Sequence, residues 1–456
     1  MLFRKIESEG LAHNSYLIGD RGEAMVIDPR RDCQVYLEEA ARQGYRIRHI
    51  METHRHEDFV SGSVELAEQS GAEIWHTEPE LAYGYGNTVS DGQSWKIGRL
   101  GIESMHTPGH TTGHMCYLLR EAGGAPWILF TGDTLFAGDL GRTDLAGPQR
   151  IHELTNLLYD SLFRKILPLG DHVIVCPAHG AGSVCGESIA DRVWTTIGLE
   201  RLHNPKLTAD RDSFISGMAR ELERPPYFRK MEELNRIGPA LLWTLPVPAA
   251  LSPAEFEQRA AGALIIDTRM NTSFGASHIP GSLSIWRQGL PGFAGWFIRY
   301  DVPLLLVLEE NDPLPAVTHL ARLGYDRIEG CLAGGMLAWQ MAGRESHTLR
   351  MIPVEAICRT LDRDENIWLL DVRSDEELSR EGEIAGAHHI HITRLPQRID
   401  EVPKDRHVVI FCGSGLRSTI AGSILAREGR SDLSVALGGT AGWKSARCPL
   451  RKSGVI

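Results

Sequence analysis

Thr53-His54-Arg55-His56-Glu57-Asp58-Phe59 is the stretch on which the reading of this 456-residue chain turns. It follows the apolar, strand-like run His49-Ile50-Met51-Glu52. It precedes Val60-Ser61-Gly62-Ser63-Val64-Glu65-Leu66-Ala67, whose small and apolar periodicity predicts a helix start. Two histidines one residue apart, followed by an aspartate, can converge on a metal ion from a loop at a strand end. Three further candidates lie downstream in the same kind of setting. His110 sits in Thr107-Pro108-Gly109-His110-Thr111. Asp133 follows the run Trp127-Ile128-Leu129-Phe130, and His179 follows His172-Val173-Ile174-Val175. With 19 histidines in the chain, a chance His-x-His is ordinary; four motifs in this order are not.

This ordered set resembles the metallo-β-lactamase superfamily, whose pattern is His-x-His-x-Asp-His, then His, then Asp, then His. The resemblance covers roughly the first half of the chain. Where two-metal members carry the last His of the first motif, this chain has Phe59, which cannot ligate, so the resemblance implies one metal. The implied ligands are His54, His110 and Asp133. Two imidazoles and one carboxylate with open positions are the ligand set of non-haem Fe(II) oxygenases. The pattern is similar to the persulfide dioxygenase branch, which implies one Fe(II) per chain. His56, Asp58 and His179 then take supporting or substrate-side roles. Gly141-Arg142-Thr143-Asp144 resembles a segment near the active site of that branch; Arg142 either receives a substrate carboxylate or pairs with an acidic neighbour. Cys185, shortly after His179, is read as inert packing, although a thiol there is open to persulfide chemistry.

The length suggests about three domains at ~150 residues each. A formal net charge of -11 argues against a nucleic-acid surface. The longest apolar runs, such as Val302-Pro303-Leu304-Leu305-Leu306-Val307-Leu308, are strand-length and too short for a membrane span. The N-terminus lacks the apolar core of a secretory signal, so a cytoplasmic protein is expected. The eight cysteines form no C-x-x-C pair, and most are expected to be reduced, buried and inert.

A proline-rich stretch, Leu245-Pro246-Val247-Pro248 through Ser252-Pro253, ends the first region, and beyond it the chain repeats itself. Asp267-Thr268-Arg269 recurs as Asp371-Val372-Arg373, and Gly334-Gly335 recurs as Gly438-Gly439, 104 residues later in each case. Strands alternating with helices predict parallel sheets covered on both faces. The two units resemble rhodanese domains. In the second, the strand Val408-Val409-Ile410-Phe411 runs into Cys412-Gly413-Ser414-Gly415-Leu416-Arg417 and then a helix. A thiol on such a loop meets backbone N–H groups and the positive end of the helix dipole, which favour a thiolate, a persulfide or an oxyanion. Gly413, Ser414, Gly415 and Leu416 form this cradle, and Arg417 is expected to add a fixed cation. In the first unit the equivalent strand runs into Glu309-Glu310-Asn311-Asp312, with no cysteine and no cradle, so this unit is expected to be inactive. Cys331 lies away from that loop and is read as packing.

The expected architecture is an α/β multidomain protein. It comprises a metallo-β-lactamase αββα sandwich over 1–245, an inactive rhodanese-like domain over 249–346 and an active rhodanese domain over 350–451. The resemblance implies oxidation of a low-molecular-weight thiol persulfide, such as glutathione persulfide, by O2 to sulfite. Sulfur transfer at Cys412 would form thiosulfate or run in reverse. The expected partners are these small molecules, without nucleic acid or membrane; a homo-oligomer and the choice of thiol carrier stay open. Two other readings stand beside it: a glyoxalase II-like thioester hydrolase, and a non-enzymatic persulfide carrier or sensor.

Overall fold

Eight consecutive buried residues, His13–Asp20, form a strand covered on both faces. In the computed structural model, which describes the chain except residues 79, 122, 361–365, 449 and 452–456, that strand belongs to a six-stranded mixed sheet. Its members in spatial order are β1 (Leu2–Ser8), β2 (His13–Asp20), β3 (Glu23–Ile27), β4 (Arg46–Met51), β5 (Glu73–His76) and β6 (Asn87–Thr88). A second six-stranded sheet holds β7 (Ser94–Ile97), β8 (Leu100–His106), β9 (Met115–Arg120), β10 (Pro126–Gly132), β11 (Ile174–Pro177) and β12 (Thr195–Thr196).

Alternate residues of β2 enter different cores. Tyr16 and Ile18 share a core with Ile102, Tyr117, Leu119 and Phe130 of the other sheet. Leu17 instead packs with Tyr36 and Ala40 of the helix Gln34–Arg42 and with Leu66 of the helix Ser63–Ser70. A third core joins Leu118, Leu129 and Val175 to Leu158, Ile197 and Phe214 from the helices on the far side. The result is the expected helix–sheet–sheet–helix sandwich. The helix begins at Ser63 and not at Val60, because Gly62 passes directly against residue 30: a Cβ there would lie 2.0 Å from the Arg30 carbonyl oxygen.

The chain divides into two units, Met1–Leu245 with Thr318–Gly324, and Pro246–Val317 with Tyr325–Ile456. The second unit contains both repeats, each with a five-stranded parallel sheet. The first is built from β13 (Ala249–Leu251), β14 (Leu264–Asp267), β15 (Leu283–Ser284), β16 (Leu304–Val307) and β17 (Ile328–Leu332), in the order β13-β17-β16-β14-β15. The second uses β18 (Arg350–Pro353), β19 (Ile367–Asp371), β21 (His388–His389), β22 (His407–Phe411) and β23 (Leu433–Leu437), in the order β18-β23-β22-β19-β21. The short strands β20 (Glu383–Ile384) and β24 (Leu450–Arg451) pair separately. Asp267 pairs with Val307 and Asp371 with Phe411, so the repeat seen in the sequence is a repeat of register. In each copy the aspartate binds the arginine two residues on through both carboxylate oxygens, Asp267 with Arg269 and Asp371 with Arg373. The repeats touch through the helix Leu416–Arg427: Ser284 N–H donates to Ser423 Oγ at 3.1 Å.

As expected for most of the thiols, Cys33, Cys116, Cys176, Cys185, Cys331 and Cys412 are free and buried; Cys358 and Cys448 are joined in a disulfide across 90 residues. Among the described residues, no helix is long and apolar enough to cross a membrane.

Candidate metal centre and cysteine loop

The histidines and aspartates singled out in the first region lie where several strands end on the same side of the sandwich. The loop after β4 carries His54, His56, Glu57 and Asp58; the β8–β9 connection carries His110. Asp133 follows β10 and His179 follows β11. All are buried, at 2 % exposure or less. His54 Nε2 and His110 Nε2 lie 3.7 and 3.5 Å from Asp133 Oδ2. These three atoms have no hydrogen-bond partner among the described residues. Buried polar atoms without partners are costly, and three that converge on one point suit a cation. The donor set fits a divalent transition metal.

Each ligand candidate is oriented from behind. Thr53 Oγ1 lies 2.9 Å from His54 Nδ1 and donates to Asp28 Oδ2, while Asp28 Oδ1 takes the Thr53 N–H. His110 Nδ1–H donates to the Arg142 carbonyl at 2.8 Å, which leaves Nε2 free for a metal. Asp133 Oδ1 accepts from His179 Nδ1–H at 2.7 Å, and His179 Nε2 lies 2.9 Å from Asp58 Oδ2. Burial, with the neighbouring imidazoles, pushes the His54 pKa well down, so this ring is neutral and able to ligate. Burial also opposes charge on His179, but Asp133 and Asp58 outweigh it and raise its pKa well above the usual value.

His56, Asp58 and His179 form a second close group. Here His56 Nε2 faces Asp28 Oδ1 at 3.0 Å, and His179 is held between two carboxylates. The Phe59 ring is fully buried, 4.5 Å from the His56 ring and 3.9 Å from that of His13. The Arg142 guanidinium is engaged by Asp144 at 2.6 and 2.7 Å and by the carbonyls of Leu222 and Glu223. Of the two roles open to Arg142, its side chain takes the ion pair, and its contact with the site is the backbone carbonyl on His110. Cys185 Sγ lies within 4.8 Å of ligand atoms of Asp133 and His179, and burial pushes its thiol pKa well up.

Two residues here, Asp28 and His114, escaped the sequence reading. Asp28 anchors both Thr53 and His56. Glu57 turns into the site, with Oε1 3.1 Å from His110 Nε2. His114 accepts the Asp133 N–H through Nε2 at 2.9 Å, and its Nδ1 lies 3.1 and 3.0 Å from the hydroxyls of Thr107 and Thr134. The signal for His114 was present in His110-Thr111-Thr112-Gly113-His114, a second histidine four residues after a candidate ligand. Gly132 serves the same contact: it has φ +49°, and a Cβ there would lie 2.4 Å from His114 Nε2.

In the second unit, Cys412 is fully buried at the end of β22, and the Gly415 N–H donates to its Sγ at 3.0 Å. Gly413 and Ser414 complete the turn, and Gly415, at φ +109°, leads into the helix beginning at Leu416. Gly439 backs the loop so closely that a Cβ would lie 2.3 Å from the Cys412 carbonyl oxygen. The Arg417 guanidinium lies beside the loop, near Gly413, and is bound by Glu377 at 2.5 and 2.6 Å, so its charge is shared. In the first repeat the equivalent loop is occupied by Glu309, which accepts from Met270 N–H and Ser273 Oγ–H at 3.0 and 2.9 Å.

Two family models match the chain. The metallo-β-lactamase superfamily matches residues 9–179, and the rhodanese-like domain matches 252–342 and 356–446. The bovine (Bos taurus) mitochondrial persulfide dioxygenase ETHE1 is 30% identical over 223 residues, 45% of this chain and 75% of that protein. The hydroxyacylglutathione hydrolase GloC of Haemophilus influenzae is 29% identical over 216 residues, 43% of this chain and 92% of that protein. Among solved structures, a metallo-β-lactamase from Staphylococcus aureus subsp. aureus COL superposes with a TM-score of 0.65 at 29% identity, covering 73% of this chain and 98% of that one.

Proposed function

The chain belongs to the metallo-β-lactamase superfamily and carries two rhodanese-like domains behind that fold, and from this premise we propose that it oxidises low-molecular-weight thiol persulfides with O2 at a single Fe(II) and transfers sulfane sulfur at Cys412. The observation that carries this reading is the convergence of His54 Nε2, His110 Nε2 and Asp133 Oδ2, buried and without protein partners, beside a Phe59 that offers no further ligand.

The ferrous ion would be held by His54, His110 and Asp133, and when bound it supplies the redox chemistry that brings O2 and the terminal persulfide sulfur together. The protein does the rest. Thr53 and the Arg142 carbonyl set the two imidazoles so that Nε2 faces inward, and His179 turns Asp133 so that one oxygen stays available. Both oxygens of O2 pass to the outer sulfur, and water then cleaves the oxidised sulfur from the carrier, supplying the third oxygen, so the products are sulfite and the free thiol. At the second site the Cys412 thiolate attacks the outer sulfur of another persulfide. The S–S bond breaks, the carrier thiolate leaves, and a cysteine persulfide remains on the loop. Sulfite then takes the outer sulfur as thiosulfate and the Cys412 thiolate returns. Linking both sites in one chain raises the local concentration of the shared intermediate.

A thioester hydrolase is the second reading, favoured by the similarity to hydroxyacylglutathione hydrolases and by the close group His56, Asp58 and His179. Ferrous-loaded protein offered glutathione persulfide and, separately, S-lactoylglutathione distinguishes the two. Oxygen consumption with the first and no thiol release from the second supports the dioxygenase; the reverse pattern supports the hydrolase.

A further inference from the structure

Glu57 stands between His56 and Asp58 in the loop after β4 and is 1 % exposed. A carboxylate buried this far is paired with a cation, protonated or bound to a metal. Each of the other acidic groups of the pocket meets a protein partner through at least one oxygen, and Asp58 Oδ1 and Asp133 Oδ2 are left without one. Asp28 takes the Thr53 N–H and hydroxyl, Asp58 faces His179, and Asp133 accepts from His179 through Oδ1. Both oxygens of Glu57 lack a hydrogen-bond partner. Its Oε1 lies 3.1 Å from His110 Nε2, an atom that also lacks one, so the two stand side by side facing a common point.

We propose that Glu57 is a fourth protein ligand of the metal centre, so that the ion is held by two imidazoles and two carboxylates. The inference rests on the metal reading above and is independent of the substrate. With metal–ligand bonds of about 2.0 to 2.2 Å, neighbouring ligand atoms stand roughly 3 to 3.5 Å apart. The Glu57–His110 separation falls in that interval, and ligand atoms of His54, Glu57 and His110 all lie within 4.8 Å of one another. Two consequences follow. A divalent ion would be balanced by two carboxylates, lowering its pull on anionic ligands. In a six-coordinate ion, two positions would remain for outside ligands in place of the three that a two-histidine, one-carboxylate set leaves.

The test is binding of Co(II) and Fe(II) to the full chain in competition with a chelator, with the visible Co(II) spectrum and the melting point of the metal-free protein as further readouts. Wild type, Glu57→Gln and Glu57→Ala are compared; Gln keeps the packing volume should Ala fail to fold. The expected result is one ion in wild type, affinity weaker by about 100-fold or more in Glu57→Ala, beyond the loss typical of an outer partner, and a changed Co(II) spectrum in both variants. Metal-free melting reports separately the loss of the 3.1 Å contact between Glu57 and His110. Unchanged affinity and spectrum would overturn the proposal, as would a fall in metal-free melting with the spectrum intact, which marks a structural pair with His110. A wild type that binds neither ion overturns the metal reading itself, and this proposal with it.

Discussion

Asp133 and His179 share a 2.7 Å hydrogen bond, Nδ1–H to Oδ1, that leaves the second carboxylate oxygen turned towards His54 and His110. With the proposed ligand set of His54, His110 and Asp133, the histidine orients Asp133 and is not itself a ligand. His179→Ala should weaken metal binding about 10- to 100-fold, the loss typical of an outer partner, while leaving one ion per chain. Chelator competition measures the affinity and metal analysis the stoichiometry; loss of the ion altogether would make His179 a ligand.

Phe59 fills the space between the rings of His56 and His13. Phe59→His should raise the metal content above one ion per chain and introduce thioester hydrolysis, because it supplies a donor beside the His56, Asp58 and His179 group. Metal analysis and assay with S-lactoylglutathione check this together. An unchanged content of one ion would show that the position is not what limits the site.

Glu377 holds Arg417 beside the Cys412 loop. Burial alone would raise the Glu377 pKa, but the Arg417 guanidinium outweighs it and brings it from the ordinary 4.5 down to about 2. A carboxylate depressed in the folded state contributes stability that is complete above its ordinary value and is lost as pH falls towards about 2. Acid unfolding of the second unit should therefore lose part of its pH dependence between about 4.5 and 2 in Glu377→Gln. The same variant frees the Arg417 charge, so its KM for thiosulfate should fall.

The Cys358–Cys448 bond closes 90 residues around the second repeat. Under non-reducing conditions Cys358→Ser should destabilise this repeat by about 2 to 4 kcal/mol, the typical contribution of a disulfide. In the presence of a thiol reductant the variant and wild type should melt together, and thiol counting before and after reduction should differ by two.

The sequence and the structure agree most closely where chemistry dictates local spacing. His54, His110 and Asp133 stood out because each closes a strand and each is a ligand type, and the Cys412 loop because glycines flank a thiol before a helix. Asp28 and His114 did not, since their roles depend on where side chains point across the two sheets, and a motif records order without direction. Arg417 shows the same limit: the loop predicts its charge, but Glu377, 40 residues earlier, shares it. The disulfide was hidden for a related reason, as its halves meet only once the repeat has folded.

Oxygen uptake by ferrous-loaded protein given glutathione persulfide, with sulfite and thiosulfate quantified and Cys412→Ser run alongside, tests the central claim most directly. The expected result is rapid uptake in both proteins, with thiosulfate from the wild type and sulfite from the variant. No uptake with iron bound, and with other carrier persulfides also tried, would contradict it.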